Sequence, residues 1–207
     1  MTRRDLALFQ VLVSLVVLGV SISADAATRI RIRANETADV ITIDETSSPP
    51  MITVTPGVSV QSKPGGLLDL GGGQYQILVP GDAKYHLKTH GGIDAVTVID
   101  GPGESNYWIG VGADNDTVTI HDGPGEDVYK VEGKGEDEIY EVRDDTGTGD
   151  DLYYLKGASG SELFNITDGP GNDIYKLNGA RDHDEFVFTD AGGDVDFVVT
   201  KNIEVVP

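Results

Sequence analysis

The chain has 207 residues, with 35 acidic and 15 basic side chains, a formal net charge of −20 and no cysteine. That length suggests one domain or one elongated repeat array, and the absence of cysteine excludes disulfides. The charge argues against nucleic acid and anionic membrane surfaces as partners, and favours cations or basic partners.

Residues 1–26 predict a secretory signal peptide. Arg3 and Arg4 precede the apolar run "LALFQVLVSLVVLGVSIS", and "ADA" at 24–26 fits the small-residue cleavage rule. The apolar run is short for a membrane span, although an uncleaved anchor is the alternative. We therefore expect a secreted protein, extracellular or periplasmic, whose mature chain begins at Ala27.

Residues 27–80 predict irregular coils or an N-terminal cap. The stretch "ANETADVITID" at 34–44 resembles "GADNDTVTIHD" at 112–122, which suggests that the repeat already begins there. Between 45 and 80 the spacing is irregular, with strand-like "MITVTP" and "YQILVP". A cap is expected at this end because an open solenoid exposes strand edges.

Residues 81–207 predict a regular repeat domain with a C-terminal cap. A large apolar residue returns at every eleventh position, with one longer step across "RDDTGTGDD": Tyr85, Val96, Tyr107, Val118, Tyr129, Tyr140, Tyr153, Phe164, Tyr175, Phe186 and Phe197. A second apolar residue follows two positions later in each unit. Such short alternating segments, bounded by Gly, Pro and Asp, indicate one strand and one turn per unit.

The units alternate between two kinds, so that two units make one complete repeat. One kind carries Tyr85, Tyr107, Tyr129, Tyr153, Tyr175 and Phe197, and the other Val96, Val118, Tyr140, Phe164 and Phe186. This pattern predicts an all-β fold, a parallel β-roll or β-solenoid with two short strands per coil, one in each of two facing sheets. We expect the aromatic residues to stack inside a thin core.

Three turns preceding the tyrosine units begin with "DGPG", at 100, 122 and 168. Glycine permits positive φ and close approach of neighbouring coils. Parallel strands lie about 4.8 Å apart, so stacked carboxylates would repel by roughly 1 kcal/mol per pair even in water. Calcium, which binds six to eight oxygens, would neutralise such columns: Asp122, Asp168 and Asp190 with Asp145 near register, and Asp127 with Asp151 and Asp173.

The stretches "DGPGEDVYK" and "DGPGNDIYK" resemble the G-G-x-G-x-D-x-U-x nonapeptide of the RTX, or haemolysin-type calcium-binding, repeats. The resemblance implies that the Asp before x-U holds Ca²⁺ between coils, together with turn carbonyls. Asp127 and Asp173 match best, and in "GKGEDEIYEV" either Asp137 or Glu138 takes the position. With the stacked turn residues, the candidate metal ligands are Asp94, Asp116, Asp122, Asp127, Asp137, Asp151, Asp168, Asp173 and Asp184.

The units depart from the RTX pattern in length, since they are usually two positions longer than the nonapeptide, and in two substitutions. Ser105 and Glu162 stand where the pattern has Asp. These departures leave the solenoid better supported than the calcium sites.

No catalytic motif stands out, and we expect the protein not to be an enzyme. The four histidines lack zinc-ligand spacing, and no G-x-S-x-G elbow is present. The favoured hypothesis is an exported calcium-binding repeat protein, with an unknown extracellular or cell-surface partner. The alternative is a metal-independent acidic solenoid with a structural or surface-interaction role. A polysaccharide-cleaving β-helix enzyme comes third, because Lys and Arg are sparse.

Overall fold

The structure is a computed structural model that describes residues 28–63, 65–78, 83–144, 148–179, 184–190, 197–201 and 204–205. The predicted signal peptide and its cleavage site lie outside the described residues, as does Asp145. In the part of the chain that is described, no helix is long and apolar enough to cross a membrane.

All regular structure in the described ranges consists of short strands: β1 (Arg29–Arg33), β2 (Val40–Asp44), β3 (Met51–Val54), β4 (Ser59–Ser62), β5 (Leu67–Gly71), β6 (Gln74–Ile77), β7 (Lys84–Lys88), β8 (Ala95–Ile99), β9 (Asn106–Gly110), β10 (Thr117–His121), β11 (Val128–Glu132), β12 (Ile139–Arg143), β13 (Leu152–Lys156), β14 (Leu163–Asp168), β15 (Ile174–Asn178), β16 (Glu185–Asp190), β17 (Phe197–Lys201) and β18 (Glu204–Val205).

The strands form two sheets, and the chain alternates between them. Sheet A has the order β17-β15-β13-β11-β9-β7-β1-β4, and sheet B has the order β18-β16-β14-β12-β10-β8-β2-β3-β6-β5. From β7 onwards all pairings are parallel, and Tyr85 pairs with Tyr107 while Val96 pairs with Val118, each one coil further along the chain. The predicted all-β parallel solenoid, with two strands per coil, is therefore confirmed.

The core is a thin layer between the inward faces of the two sheets. Burial alternates along the strands, as in β11, where Tyr129 and Val131 are buried and their neighbours are not. On sheet A the rings of Tyr85, Tyr107, Tyr129, Tyr153 and Tyr175 stack with centroids 4.7–5.1 Å apart. Identical register in every coil brings like side chains together, and each stacked pair adds roughly 0.5–1.5 kcal/mol beyond its buried area.

The N-terminal end is closed by antiparallel strands. β1 and β2 lie in the segment predicted as irregular coils or a cap, and they pair in parallel with β7 and β8 and so form the first regular coil. The following segment folds back, with β4 along β1 and β3 along β2, and β6 and β5 extend sheet B. These strands cover the parallel edges of the first coil, which would otherwise offer unpaired backbone groups.

The tyrosine register changes at the C-terminal end. The sequence predicts that Phe197 continues the ladder after Tyr175, but β17 pairs Val198 with Tyr175 and Phe197 with Ile174. That prediction is wrong by one position, because the last coil contains one residue more than the regular repeat. Phe188 of sheet B instead makes an edge contact with Tyr175, at 5.5 Å between ring centroids.

Candidate metal centre

Each coil has two turns, which stack into two corners of the solenoid. The DGPG corner contains the turns from sheet B to sheet A, at 100–105, 122–127 and 168–173, and the turn bounded by Asp144 and Asp151. The opposite corner contains the turns from sheet A to sheet B, at 34–39, 89–94, 111–116, 133–138 and 157–162. Both corners carry buried carboxylates, which differ in number and in partners.

One column of the DGPG corner lies just before the strands of sheet A and contains Ser105, Asp127, Asp151 and Asp173. All four are at most 2% exposed. Asp127 Oδ1 accepts the backbone N–H of Ser105 at 2.5 Å, and Asp151 Oδ1 accepts that of Asp127 at 2.5 Å. Asp173 Oδ1 continues the pattern with the N–H of Asp151 at 2.7 Å. Each carboxylate thus binds the backbone of the preceding coil.

A second column lies at the ends of the sheet B strands and faces the first one. It consists of Glu45, Asp100, Asp122, Asp144 and Asp168, all at most 5% exposed. The hydroxyl groups of the stacked tyrosines donate hydrogen bonds to this column: Tyr85 to Glu45, Tyr107 to Asp100, and both Tyr129 and Tyr153 to Asp122. The hydroxyl of Tyr175 donates to Asp168 at 2.5 Å.

The two columns combine into three carboxylate triads, here called the DGPG triads. They are Asp100–Asp122–Asp127, Asp122–Asp144–Asp151 and Asp144–Asp168–Asp173, and in each triad the potential ligand oxygens lie within 4.8 Å of one another. Neighbouring triads share a residue, first Asp122 and then Asp144. The result is a continuous row of seven buried carboxylates along one corner.

Several oxygens of the DGPG triads accept no hydrogen bond from the surrounding protein. They are Oδ2 of Asp100, Asp127 and Asp151, and both carboxylate oxygens of Asp144, which is fully buried. These groups face other carboxylates instead, Asp100 with Asp127 and Asp151 with Asp122. A buried anion without a donor is costly, so these oxygens require either a proton or a cation.

The pKa values of these carboxyls show the same deficit of positive charge. Burial, followed by the charge of neighbouring aspartates, raises the pKa of Asp100 to about 9 and that of Asp144 to about 8. The same causes raise the pKa of Asp151 to about 10. Burial raises the pKa of Asp127 to about 7, against a backbone hydrogen bond from Ser105 that lowers it. Near neutral pH the metal-free corner therefore retains protons.

The glycines of the DGPG turns allow the coils to approach closely. A Cβ atom on Gly125 would lie 1.9 Å from the carbonyl oxygen of Gly103, and one on Gly149 would lie 1.3 Å from that of Gly125. Neither Gly123 nor Gly125 has a positive φ. The close approach of the coils, and not a left-handed backbone, therefore requires glycine at position 125. This spacing brings the two carboxylate columns into contact across neighbouring coils.

The opposite corner has only the first kind of column. Asp94 Oδ1 accepts the N–H of Asp39, and Asp116 Oδ1 accepts that of Asp94, both at 2.8 Å. Glu138 and Glu162 continue it, and Asp184 accepts the N–H of Glu162 at 3.0 Å. Among the described residues, no group of three carboxylates within mutual reach occurs at this corner.

The structure therefore divides the nine sequence-predicted ligands into two groups and leaves Asp137 outside both. Asp122, Asp127, Asp151, Asp168 and Asp173 meet in the DGPG triads, whereas Asp94, Asp116 and Asp184 lie in the single column of the opposite corner. Asp137 is exposed and accepts the N–H of Ser161 at 2.8 Å, and Glu138 is the buried member of the pair.

Two members of the DGPG triads, Asp100 and Asp144, are absent from the sequence-predicted set. Asp100 begins a DGPG turn, as Asp122 and Asp168 do, and Asp144 follows Asp122 by one repeat length. The DGPG motif thus indicates Asp100 in the sequence, and the repeat length indicates Asp144. Asp190, expected in the same column, pairs with Asp168 along the backbone but is exposed.

Comparison of the chain with protein-family models, curated proteins and solved structures finds no match.

Proposed function

We propose that the protein is an exported calcium-binding solenoid, in which the DGPG triads bind Ca²⁺ between successive coils and stabilise the fold. The observation that carries the proposal is the row of seven buried carboxylates, in which Asp100, Asp127, Asp144 and Asp151 have oxygens that accept no hydrogen bond. The resemblance of "DGPGEDVYK" and "DGPGNDIYK" to RTX repeats agrees with this assignment. Export rests on the residue pattern of 1–26 alone.

The donor set suits a hard divalent cation. Its side-chain donors are carboxylate oxygens, which are typical ligands of Ca²⁺ and Mg²⁺. Two oxygens that each lie about 2.3–2.6 Å from one Ca²⁺ can be nearly 5 Å apart, and the oxygens within a triad lie within 4.8 Å of one another. Mg²⁺ needs shorter distances and near-ideal octahedral geometry, so the shared, stacked triads favour Ca²⁺.

Charge balance favours one cation per triad. The seven carboxylates bring seven negative charges when they are ionised, and three Ca²⁺ ions would bring six positive charges. The shared residues Asp122 and Asp144 would each bridge two ions. Because the ligands of each triad come from successive coils, binding would join the coils, and its free energy would add to the free energy of folding.

A second candidate function, a metal-independent structural solenoid, is favoured by the raised pKa values. Asp100 and Asp151 retain their protons near neutral pH in the absence of metal, since their pKa values are about 9 and about 10. A protonated carboxyl can donate to the carboxylate that faces it, as in other buried carboxyl pairs. Protons would then neutralise the corner, and the aromatic ladders would hold the fold without calcium.

Thermal unfolding of the purified protein, followed by far-UV circular dichroism, distinguishes the two functions. We expect the Tm to rise when Ca²⁺ replaces a chelator, by an amount that grows with Ca²⁺ concentration. Mg²⁺ at equal concentration controls for general screening of a chain of charge −20. An equal Tm in chelator and in millimolar Ca²⁺ would exclude calcium binding to the native state and leave the metal-independent solenoid.

A further inference from the structure

The outward face of sheet A is basic, although the chain as a whole is strongly acidic. Nine of the 15 Lys and Arg residues occupy outward positions on its strands: Arg29, Arg31, Arg33, Lys84, Lys88, Lys130, Lys156, Lys176 and Lys201. Glu132 is the one carboxylate among the described outward positions of this face, and it pairs with Lys130 at 3.0 Å. Net charge therefore conceals a strong separation of charge.

The middle row of this face combines cationic and aromatic side chains. Strand register aligns Arg31, His86, Trp108, Lys130, Tyr154 and Lys176, here called the basic stripe. Lys130 Nζ lies 4.7 Å from the ring centre of Trp108 and 5.8 Å from that of Tyr154. Trp108 is 47% exposed, and its indole meets His86 edge-on at 4.7 Å.

The residues at one end of the stripe line an open groove of about 390 Å³. The groove includes Arg29, Arg31, Lys84, His86, Trp108 and Lys130. The pKa of His86 is lowered by burial and then by the positive charges of Arg31 and Lys88, which agrees with the cationic lining of the groove. An anionic ligand in the groove would meet guanidinium and ammonium groups beside an exposed aromatic ring.

We propose that the basic stripe binds a linear acidic polysaccharide that runs along the solenoid axis. Side chains of the stripe recur once per strand, about every 4.8 Å, so a ligand with a similar repeat can place one unit on each strand, against a cation in some coils and against an aromatic ring in others. A pyranose ring advances a glycan chain by about one strand spacing. Stacked nucleotides advance by about 3.4 Å and would lose register within a few coils.

The shape of the surface also favours a single narrow chain. A five-residue strand spans about 16 Å, and exposed acidic residues flank sheet A at both corners, Glu104 and Glu126 on one side and Asp114 and Glu136 on the other. A nucleic-acid duplex or a bilayer surface would cover these carboxylates and be repelled. A single glycan chain fits between them, with its carboxylates on the cations and its sugar faces on Trp108 and Tyr154.

The test uses the fluorescence of Trp108, which is the only tryptophan of the chain and therefore reports on the stripe without a label. The purified protein, in calcium-containing buffer, is titrated with short oligogalacturonate and with its fully methyl-esterified form. We expect a saturable change with the charged oligomer, weakened by added salt, and a response at least about tenfold weaker with the uncharged one.

Matched variants locate the site. Arg31→Gln with Lys130→Gln should weaken binding about tenfold or more, while Arg143→Gln with Lys134→Gln, which removes the same charge elsewhere, should leave it unchanged. The proposal is overturned by absence of binding, by equal binding of the esterified oligomer, or by equal weakening in both double variants. Equal or tighter binding of poly(dT) or of phosphatidylglycerol vesicles would also overturn it, in favour of a phosphate-bearing partner. The wild-type titration and its salt dependence decide the matter even if a variant fails to fold.

Discussion

The two corners of the solenoid use the same carboxylate ladder and differ in what faces it. At both corners a buried carboxylate of one coil accepts the backbone N–H of the equivalent residue one coil earlier, as Asp116 does from Asp94 and Asp151 does from Asp127. At the DGPG corner a second column that includes Asp122 and Asp144 lies opposite this ladder. The opposite corner has no such column among its described residues.

We propose that this difference separates a structural role from a metal-binding role for the same residue type. A carboxylate that accepts a backbone N–H satisfies one donor of the turn. At the opposite corner the second oxygen of Asp94 and of Asp116 also lacks a donor, but no second column faces it among the described residues, and a proton is sufficient there because burial raises the pKa of Asp116 to about 7. When a second carboxylate faces the first across the coil, each charge destabilises the other and a cation becomes the natural partner. Recurrence of Asp at a turn position therefore does not distinguish a calcium ligand from a structural acceptor, and the convergence of two columns is what supports the proposed site at the DGPG corner.

Replacement of Asp144 should give the largest effect on calcium-dependent stability. Asp144→Asn alters a ligand that two of the DGPG triads share. One site contributes about 2.7 kcal/mol when Ca²⁺ is present at a hundred times its Kd, so loss of two sites should remove about 5 kcal/mol. The measurement is the Tm difference between calcium and chelator, and it should shrink strongly in this variant.

Asp116→Asn is the matched control for that experiment. Asp116 is equally buried and accepts one backbone N–H, but it belongs to the single column of the opposite corner. The Asp116→Asn substitution should therefore lower the Tm by similar amounts in chelator and in calcium. A calcium response that shrinks as much for Asp116→Asn as for Asp144→Asn would contradict the distinction between the corners.

The pH dependence should be opposite to that of ordinary salt-bridged carboxylates. Asp has a pKa of about 3.9 in unfolded chains, whereas Asp144 and Asp100 have folded-state pKa values of about 8 and about 9 without metal. The native state thus holds extra protons between about pH 4 and these values. Its metal-free stability is full below about pH 4 and falls as pH rises toward these folded-state values, by about 1.4 kcal/mol per pH unit for each carboxyl that must stay protonated.

Thermal unfolding between about pH 5 and pH 9 checks this prediction. In chelator the Tm should fall with rising pH, and saturating Ca²⁺ should reduce the fall because the cation replaces the protons. Identical pH slopes with and without calcium would mean that the metal does not compete with these protons.

A methyl group at Gly149 should separate neighbouring coils at the DGPG corner. Its Cβ atom would lie 1.3 Å from the carbonyl oxygen of Gly125, so the backbone must shift, at an expected cost of about 1–3 kcal/mol or more. Gly149→Ala should also weaken calcium binding, because the two carboxylate columns would move apart. Gly110→Ala is the control, since its Cβ would have ordinary contacts with Lys88, the nearest at 3.6 Å.

The smallest effect should come from the tyrosine hydroxyls. Tyr153→Phe removes a donor to Asp122 and should cost about 1.5–3 kcal/mol in chelator, as expected for a hydrogen bond to a charged group. Tyr140→Phe removes a donor to the carbonyl of Lys156 at 2.9 Å and should cost about 0.5–1.5 kcal/mol. Chemical denaturation of both variants measures the difference, and equal losses would show that Asp122 is not a charged acceptor.

The spacing of apolar residues was sufficient to predict the solenoid, because a thin core made of equivalent coils imposes a strict period on the sequence. Local irregularities were harder to place. The unit at 133–138 leaves Asp137 and Glu138 equivalent in sequence, and burial selects Glu138. Phe197 was misplaced by one position because one additional residue precedes its pairing position.

The candidate site was predictable only in part, because a motif selects residues along the chain and a site forms across coils. The RTX-like motif selects the residue before each strand at both corners, so it includes Asp94 and Asp116 along with Asp127. The motif contains no information about which residue of a neighbouring turn segment faces that position, and for this reason Asp100 and Asp144 were not predicted. The basic stripe was not evident from the composition for a related reason, because the net charge sums the basic outward face of sheet A with the acidic turns at both corners.

The most direct test of the calcium assignment is the number of ions that the native protein binds. Isothermal titration calorimetry of the chelator-treated protein with Ca²⁺, at about pH 9 where fewer of these carboxyls hold a proton than at neutral pH, gives that number. The DGPG triads predict three Ca²⁺ ions per chain. Absence of specific binding, or a stoichiometry that is unchanged in Asp144→Asn, would contradict the assignment of calcium to these triads.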